Sequence, residues 1–143
     1  MTVFLDTNVL LDALIASRPG HRPALQLFQV IKDRKIMGMM TSQSIIDAAY
    51  VQTQRLKVSV GDFKSAIRFI CSFVSVIAID EEDIERVNLS SLEDYEDAAQ
   101  VSCALNHGCD LIVSSDKGLK KITDLDIFSA QELIDRCLSS SPL

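Results

Sequence analysis

Short apolar runs alternate with stretches of helical period along the whole chain, and that alternation constrains the fold more than any other feature. The runs are "TVFL" at 2–5, "IMGMM" at 36–40, "VSVIAI" at 74–79, "DLIVS" at 110–114 and "DIF" at 126–128. Strands that are apolar throughout, rather than on every second residue, suit burial on both faces. Between them the periodicity predicts helices from about Asn8 to Ala16, from Pro23 through "PALQLFQVIKDR", and from Ser42 to about Leu56. Further helices are expected over "SVGDFKSAIRFICSF", from about Glu81, from about Asp94 to His107 with Gly108 as its stop, and over "AQELIDRCL". This pattern indicates an α/β fold with a mainly parallel sheet. No repeat or linker divides the chain, so residues 1–138 read as one domain and 139–143 as a short polar tail.

A chain of 143 residues is long enough to bury a real core. Its formal charge of −6 supplies no global basic field for nucleic acid, so a local patch or bound cations would have to do so. "MTVFLD" lacks a charged leader, and the longest apolar run is far too short to span a bilayer. The four cysteines contain no CxxC pair and read as reduced thiols in the core of a cytoplasmic protein. Cys103, His107 and Cys109 lie close in sequence but lack a fourth zinc ligand at sensible spacing.

In open parallel sheets, ligands sit beyond the carboxyl ends of the strands. Asp6 follows the first strand in "VFLDTNVLLD", and Asp116 follows the fourth in "LIVSSD". Each alone has a plain alternative, because acids often cap the helix after a strand. The helix "DYEDAAQVSCALNHG" adds a stronger signal. Wound at roughly 100° per residue, it gathers Asp94, Asp97, Ala98, Val101, Ala104 and Leu105 into one arc, with Glu96, Gln100 and Cys103 opposite. Two carboxylates turned toward a core are costly unless something compensates. Helix capping and the helix dipole account for Asp94 better than for Asp97; a cation would account for both. In the helix after Ser42, Asp47 lies at the edge of a stripe formed by Ile45, Ile46, Ala49, Tyr50 and Thr53, where a solvated surface acid is an equal reading. Together Asp6, Asp47, Asp97 and Asp116, with Asp94 as a fifth member, make a candidate set. Clustered carboxylates repel one another, and hard cations such as Mg²⁺ or Mn²⁺ relieve that with oxygen ligands.

At these residues the chain resembles the PIN-domain nucleases, in particular the VapC-like toxins of bacterial toxin–antitoxin pairs. The motifs are "FLDTNVLLD", "TSQSIID", "DYEDAAQVSCALNHGCDLIVSSD" and the closing "SAQELI". The resemblance implies a three-layer sandwich whose central, mainly parallel five-stranded sheet has the order 3-2-1-4-5 and is flanked by helices. It also implies that Asp6, Asp47, Asp97 and Asp116 are the catalytic carboxylates. Asp94, the leading acid of the D-x-x-D-A pattern, joins them as a metal ligand. Asn8 of the DTN motif and Ser114, in a position usually occupied by threonine, would support the site. Asp47 departs from the family pattern, which typically has glutamate there; one methylene shorter, it would reach a metal through water.

The chemistry implied is hydrolysis of RNA phosphodiester bonds with one or two Mg²⁺ or Mn²⁺ ions, leaving a 5′-phosphate and a 3′-hydroxyl. The implied partners are an RNA substrate, a cognate antitoxin protein and a second copy of the chain in a homodimer, with no membrane. Arg18, His21 and Arg22, and Lys117, Lys120 and Lys121, are candidates to meet RNA phosphates, ordinary solvated charge being the alternative. Two other readings stay open: a non-catalytic PIN-like binding or scaffold module, and an RNA-processing nuclease without an antitoxin. A haloacid-dehalogenase-like phosphatase needs a second acid two residues after Asp6, where Asn8 stands. A receiver domain needs a phosphoacceptor after the third strand, where "DEED" looks like a helix start.

Overall fold

The computed structural model describes residues 1–91, 93–116, 118–119 and 125–139. Its strands are β1 (Thr2–Leu5), β2 (Met37–Thr41), β3 (Val74–Ile77), β4 (Leu111–Val113) and β5 (Asp126–Phe128). They form one sheet in the order β3-β2-β1-β4-β5, with every pairing parallel. The order implied by the resemblance is thus the one found. Central β1 is apolar without alternation because both its faces are covered: Val3, Phe4 and Leu5 are all fully buried.

Val3 and Leu5 face a large core built with α1 (Thr7–Leu14), α2 (His21–Lys32), α3 (Ser42–Ala49), α4 (Val60–Cys71) and α7 (Ala130–Ser139). Phe4 points the other way, into a core with Val101 and Ala104 of α6 (Tyr95–Asn106) and with Ile112 and Ile127 of the neighbouring strands. Helix α5 (Glu81–Leu89) packs outside α6 through Val87 against Ala98 and Ala99. Among the described residues no helix is long and apolar enough to cross a membrane.

Several local expectations shift for identifiable reasons. Thr41, not Ser42, caps α3: its extended backbone turns Oγ1 onto the Ser44 N–H at 3.1 Å. That helix does not run on to Leu56 in α form. Residues Tyr50–Arg55 widen into a π-helical segment, where the Thr53 hydroxyl donates to the Ala49 carbonyl at 2.7 Å. Helix α2 starts at His21, so Pro23 sits inside its first turn, where no N–H is required. Gly108 does close α6, at φ +70°, a conformation that favours glycine.

The two helix faces drawn from periodicity need correction. In α6, Gln100 and Cys103 are as buried as Val101 and Ala104, because the Gln100 amide meets Thr7 Oγ1 of α1 and the Cys103 thiol meets the Ala78 carbonyl after β3, neighbours a single wheel leaves out. Leu105, placed on the apolar arc, is 53% exposed. In α3, Ile46 and Tyr50 are exposed, while Ser44 and Ala48 are buried. The helix turns a small, partly polar side inward because Ser44 finds hydroxyl partners there.

Candidate active site

The register between the two central strands sets the geometry. Leu5 pairs with Val113, which brings the residues after them, Asp6 and Ser114, alongside each other, and the Asp6 N–H donates to the Val113 carbonyl at 3.0 Å. Asp6 is only 7% exposed, so its carboxylate needs donors and has three. The Thr7 N–H donates to Oδ1 at 2.7 Å; the Ser114 hydroxyl at 2.7 Å and the Asn8 amide at 3.0 Å donate to Oδ2. Ser114 also accepts the Asp116 N–H at 2.9 Å, and Asn8 Oδ1 accepts the Ser115 N–H at 3.3 Å. Asn8 and Ser114 therefore fasten the turn after β4 to the turn after β1. Burial pushes the Asp6 pKa up, the Ser114, Thr7 and Asn8 hydrogen bonds oppose the rise, and the Asp116 charge adds to it.

Asp94 caps α6 by accepting the Asp97 N–H at 3.0 Å. Asp97, half-buried in the first turn, has its pKa pushed up to about 6. Desolvation is the largest cause, followed by the charges of Asp94, Asp6, Asp116 and Glu96. Favourable placement at a helix start does not offset that surrounding negative charge. Four carboxylates from β1, the β4 turn and α6 thus share one field around Asp97.

Glu96 belongs to the same field and was missed. Glu96 is exposed, yet partial desolvation and then the charges of Asp47, Asp6 and Asp94 raise its pKa, so it feels the acids while still meeting water. A wheel of α6 alone cannot reveal this, since α3 and β1 supply the neighbours. Asp47 stands at the margin: Glu96 feels its charge, while its own Oδ1 accepts the Gln43 amide at 2.8 Å along α3. Asp116 is held in its own turn, where Oδ1 accepts the Gly118 N–H at 2.8 Å.

The donor set is all oxygen, and no described lysine or arginine forms an ion pair with these acids; between described residues the pairs are Arg18–Asp12 and Arg86–Glu82. Hard, compact cations suit such a set in charge and ligand type. With the side chains as they stand, no three His, Cys, Asp or Glu among the described residues are gathered around a single point. An ion would therefore draw in Asp97 from the first turn of α6 and Asp116 from its turn, while Asp6 is already fixed.

The basic residues expected to meet RNA divide differently. Arg18 Nε donates to Asp12 Oδ1 at 2.7 Å, and His21 Nδ1 lies 2.8 Å from the Asp12 carbonyl oxygen, so both close the loop after α1. That loop leaves the far end of an eight-residue helix, about 12 Å from the acids at its start. Arg22 alone of the three is exposed. Lys117, Lys120 and Lys121 lie outside the described residues.

Comparison with known proteins agrees with this architecture. Ribonuclease VapC1 of Aquifex aeolicus (strain VF5) is 25% identical over 141 residues, covering 94% of either chain. The crystal structure of Mycobacterium tuberculosis VapC20, a Sarcin-Ricin loop cleaving toxin, superposes with a TM-score of 0.65 at 14% identity, covering 83% of this chain and 93% of that one. VapBC2 from Rickettsia felis, solved bound to a DNA fragment from its promoter, matches at 0.60 and 16% identity over 90% of this chain and 98% of that one. The PIN domain pattern itself matches residues 2–118, which take in the ends of β1 and β4 with Asp6 and Asp116, together with Asp47, Asp94 and Asp97. The chain belongs to the PIN domain family.

Proposed function

We propose that the chain is a divalent-cation-dependent endoribonuclease, acting as the toxin of a toxin–antitoxin pair. The observation that carries this reading is the shared negative field of Asp6, Asp97 and Asp116 at the carboxyl end of adjacent β1 and β4, in a PIN domain. The full-length similarity to a protein named as a ribonuclease supports it. Asp6, Asp97 and Asp116 would hold Mg²⁺ or Mn²⁺, with Asp94 beside them and Asp47 acting through water. When bound, the cation supplies Lewis-acid activation of water and neutralises charge on the scissile phosphate.

The chain's own residues prepare that chemistry. Asn8, Ser114 and the Thr7 N–H fix both oxygens of Asp6, so the anchor ligand has one orientation before anything binds. Asp97, with its pKa near 6, retains a proton in mildly acidic solution and gives it up at neutrality, so cation uptake strengthens as pH rises through that range. RNA is the substrate class, a cognate antitoxin and a second copy of the chain the protein partners. The test is cleavage of a mixed RNA pool with Mg²⁺, Mn²⁺ or EDTA, beside Asp6→Asn. Cation-dependent cleavage lost in the variant is expected; equal inertness of both proteins with every cation would instead favour a binding module.

A further inference from the structure

Asp6, Asp47 and Asp97 stand on elements far apart in sequence, and a cluster of uncharged polar side chains joins those elements behind them. Thr7 Oγ1 and Ser44 Oγ are 2.7 Å apart. The Gln100 amide donates to Thr7 Oγ1 at a longer 3.4 Å, and the Thr41 hydroxyl donates to Ser44 Oγ at 3.1 Å. Thr41 and Ser44 are fully buried and Gln100 is 3% exposed.

Each member sits next to an acid or one helical turn away from one. Thr7 follows Asp6, Ser44 precedes Asp47 by a turn, and Gln100 follows Glu96 and Asp97 by a turn. Apolar side chains of similar size would fill the same space at little cost in stability. They would also let the elements slide, whereas hydrogen bonds fix separation and direction. The acids meanwhile push one another apart, a repulsion that adds to desolvation in raising the pKa values of Asp97 and Glu96.

We infer that Thr7, Ser44 and Gln100 are positioning residues: their cluster sets the separation of the carboxylates at the start of α1, on α3 and on α6, and so the affinity of the site for its cation. Thr7 is the hub, because its hydroxyl meets both other elements. This inference rests on the cation-dependent reading proposed above.

The experiment measures Mn²⁺ uptake from the free-Mn²⁺ electron paramagnetic resonance signal, for wild type, Thr7→Ser, Thr7→Val and Gln100→Leu, with a melt of each metal-free protein. Thr7→Ser, which keeps the hydroxyl, is expected to bind as wild type does. Thr7→Val and Gln100→Leu are expected to bind roughly 10-fold more weakly, as changes behind metal ligands do. Their metal-free melting temperatures should not account for the loss. If Thr7→Val disturbs folding, Gln100→Leu with Thr7→Ser still decides the matter. Wild-type affinity in Thr7→Val and Gln100→Leu overturns the inference alone, as does Thr7→Ser binding no better than Thr7→Val. A wild type that takes up no Mn²⁺ overturns this inference together with the cation reading.

Discussion

The Ser114 hydroxyl donates to Asp6 Oδ2 at 2.7 Å while accepting the Asp116 N–H at 2.9 Å, so one small side chain locks the turn after β4 onto the acid after β1. Ser114 is 4% exposed, so its hydroxyl is shielded from bulk water. Ser114→Ala should destabilise the fold by about 1–3 kcal/mol, the range for a buried group losing its partner. Ser114→Thr, which restores the hydroxyl usual in the family, should recover most of that loss. Urea unfolding of the three proteins measures it, and a Ser114→Ala change within error of wild type contradicts the lock.

The raised pKa of Asp97 makes the metal-free protein less stable as pH rises. Between the ordinary carboxyl value of 3.8 and about 6, the folded state keeps a proton that the unfolded chain has lost. The native state then binds more protons than the unfolded one, and stability falls with rising pH across that window. Asp6 and Glu96 act in the same direction. Asp97→Asn should therefore melt higher than wild type in EDTA at pH 7.5, by roughly 3 °C, and show a flatter stability profile from pH 4 to 6.5. The same variant should lose RNA cleavage. A lower melting temperature for Asp97→Asn at pH 7.5 would sink the argument.

Asp83 shows the opposite sign. Burial opposes its ionisation, but hydrogen bonds from the Ser102 hydroxyl at 2.7 Å, the Asp80 N–H at 3.0 Å and the Asn106 amide at 2.7 Å outweigh it and hold the pKa down. Its contribution is present above the unfolded value of 3.8 and is lost as pH falls through the lower folded value. Asp83→Ala should cost about 2–3 kcal/mol at pH 7 by stranding the Ser102 and Asn106 donors between α5 and α6. Below pH 3 the difference from wild type should shrink. Denaturant titrations at the two pH values compare the outcomes.

Asp47 is held along its own helix by Gln43 and stands at the edge of the acidic field. Asp47→Asn should reduce cleavage by about 10-fold, the scale of a ligand acting through water, against a loss at least as great as 100-fold for Asp6→Asn. Asp47→Glu, one methylene longer, should bind Mn²⁺ more tightly than wild type. Steady-state cleavage rates and Mn²⁺ titration test the order; Asp47→Asn as damaging as Asp6→Asn would place Asp47 among the direct ligands.

Much of the site was legible because it is written in local terms. An acid directly after an apolar run, as Asp6 is, or two serines beyond one, as Asp116 is, sits near a strand's carboxyl end by chain geometry. The capping position of Asp94 and the stop at Gly108 follow from adjacent backbone groups needing partners. The positions of Asn8 and Ser114 beside Asp6 came from family resemblance, and the hydrogen bonds now give the physical reason.

Sequence by itself determined that this chain is a parallel α/β domain with acids beyond its strand ends, since periodicity and strand-end placement depend only on neighbours in the chain. Tertiary structure decided which acids feel one another. Glu96 came to feel the acids of the candidate site, Gln100 and Cys103 went inside against Thr7 and Ala78, and Ile46 and Tyr50 went out, because the whole fold sets each helix's neighbours and no single-helix pattern can foresee them. It also decided that Arg18 and His21 close a loop rather than line the site, because their Asp12 partner is reached only once α1 has formed and the chain has turned back on it.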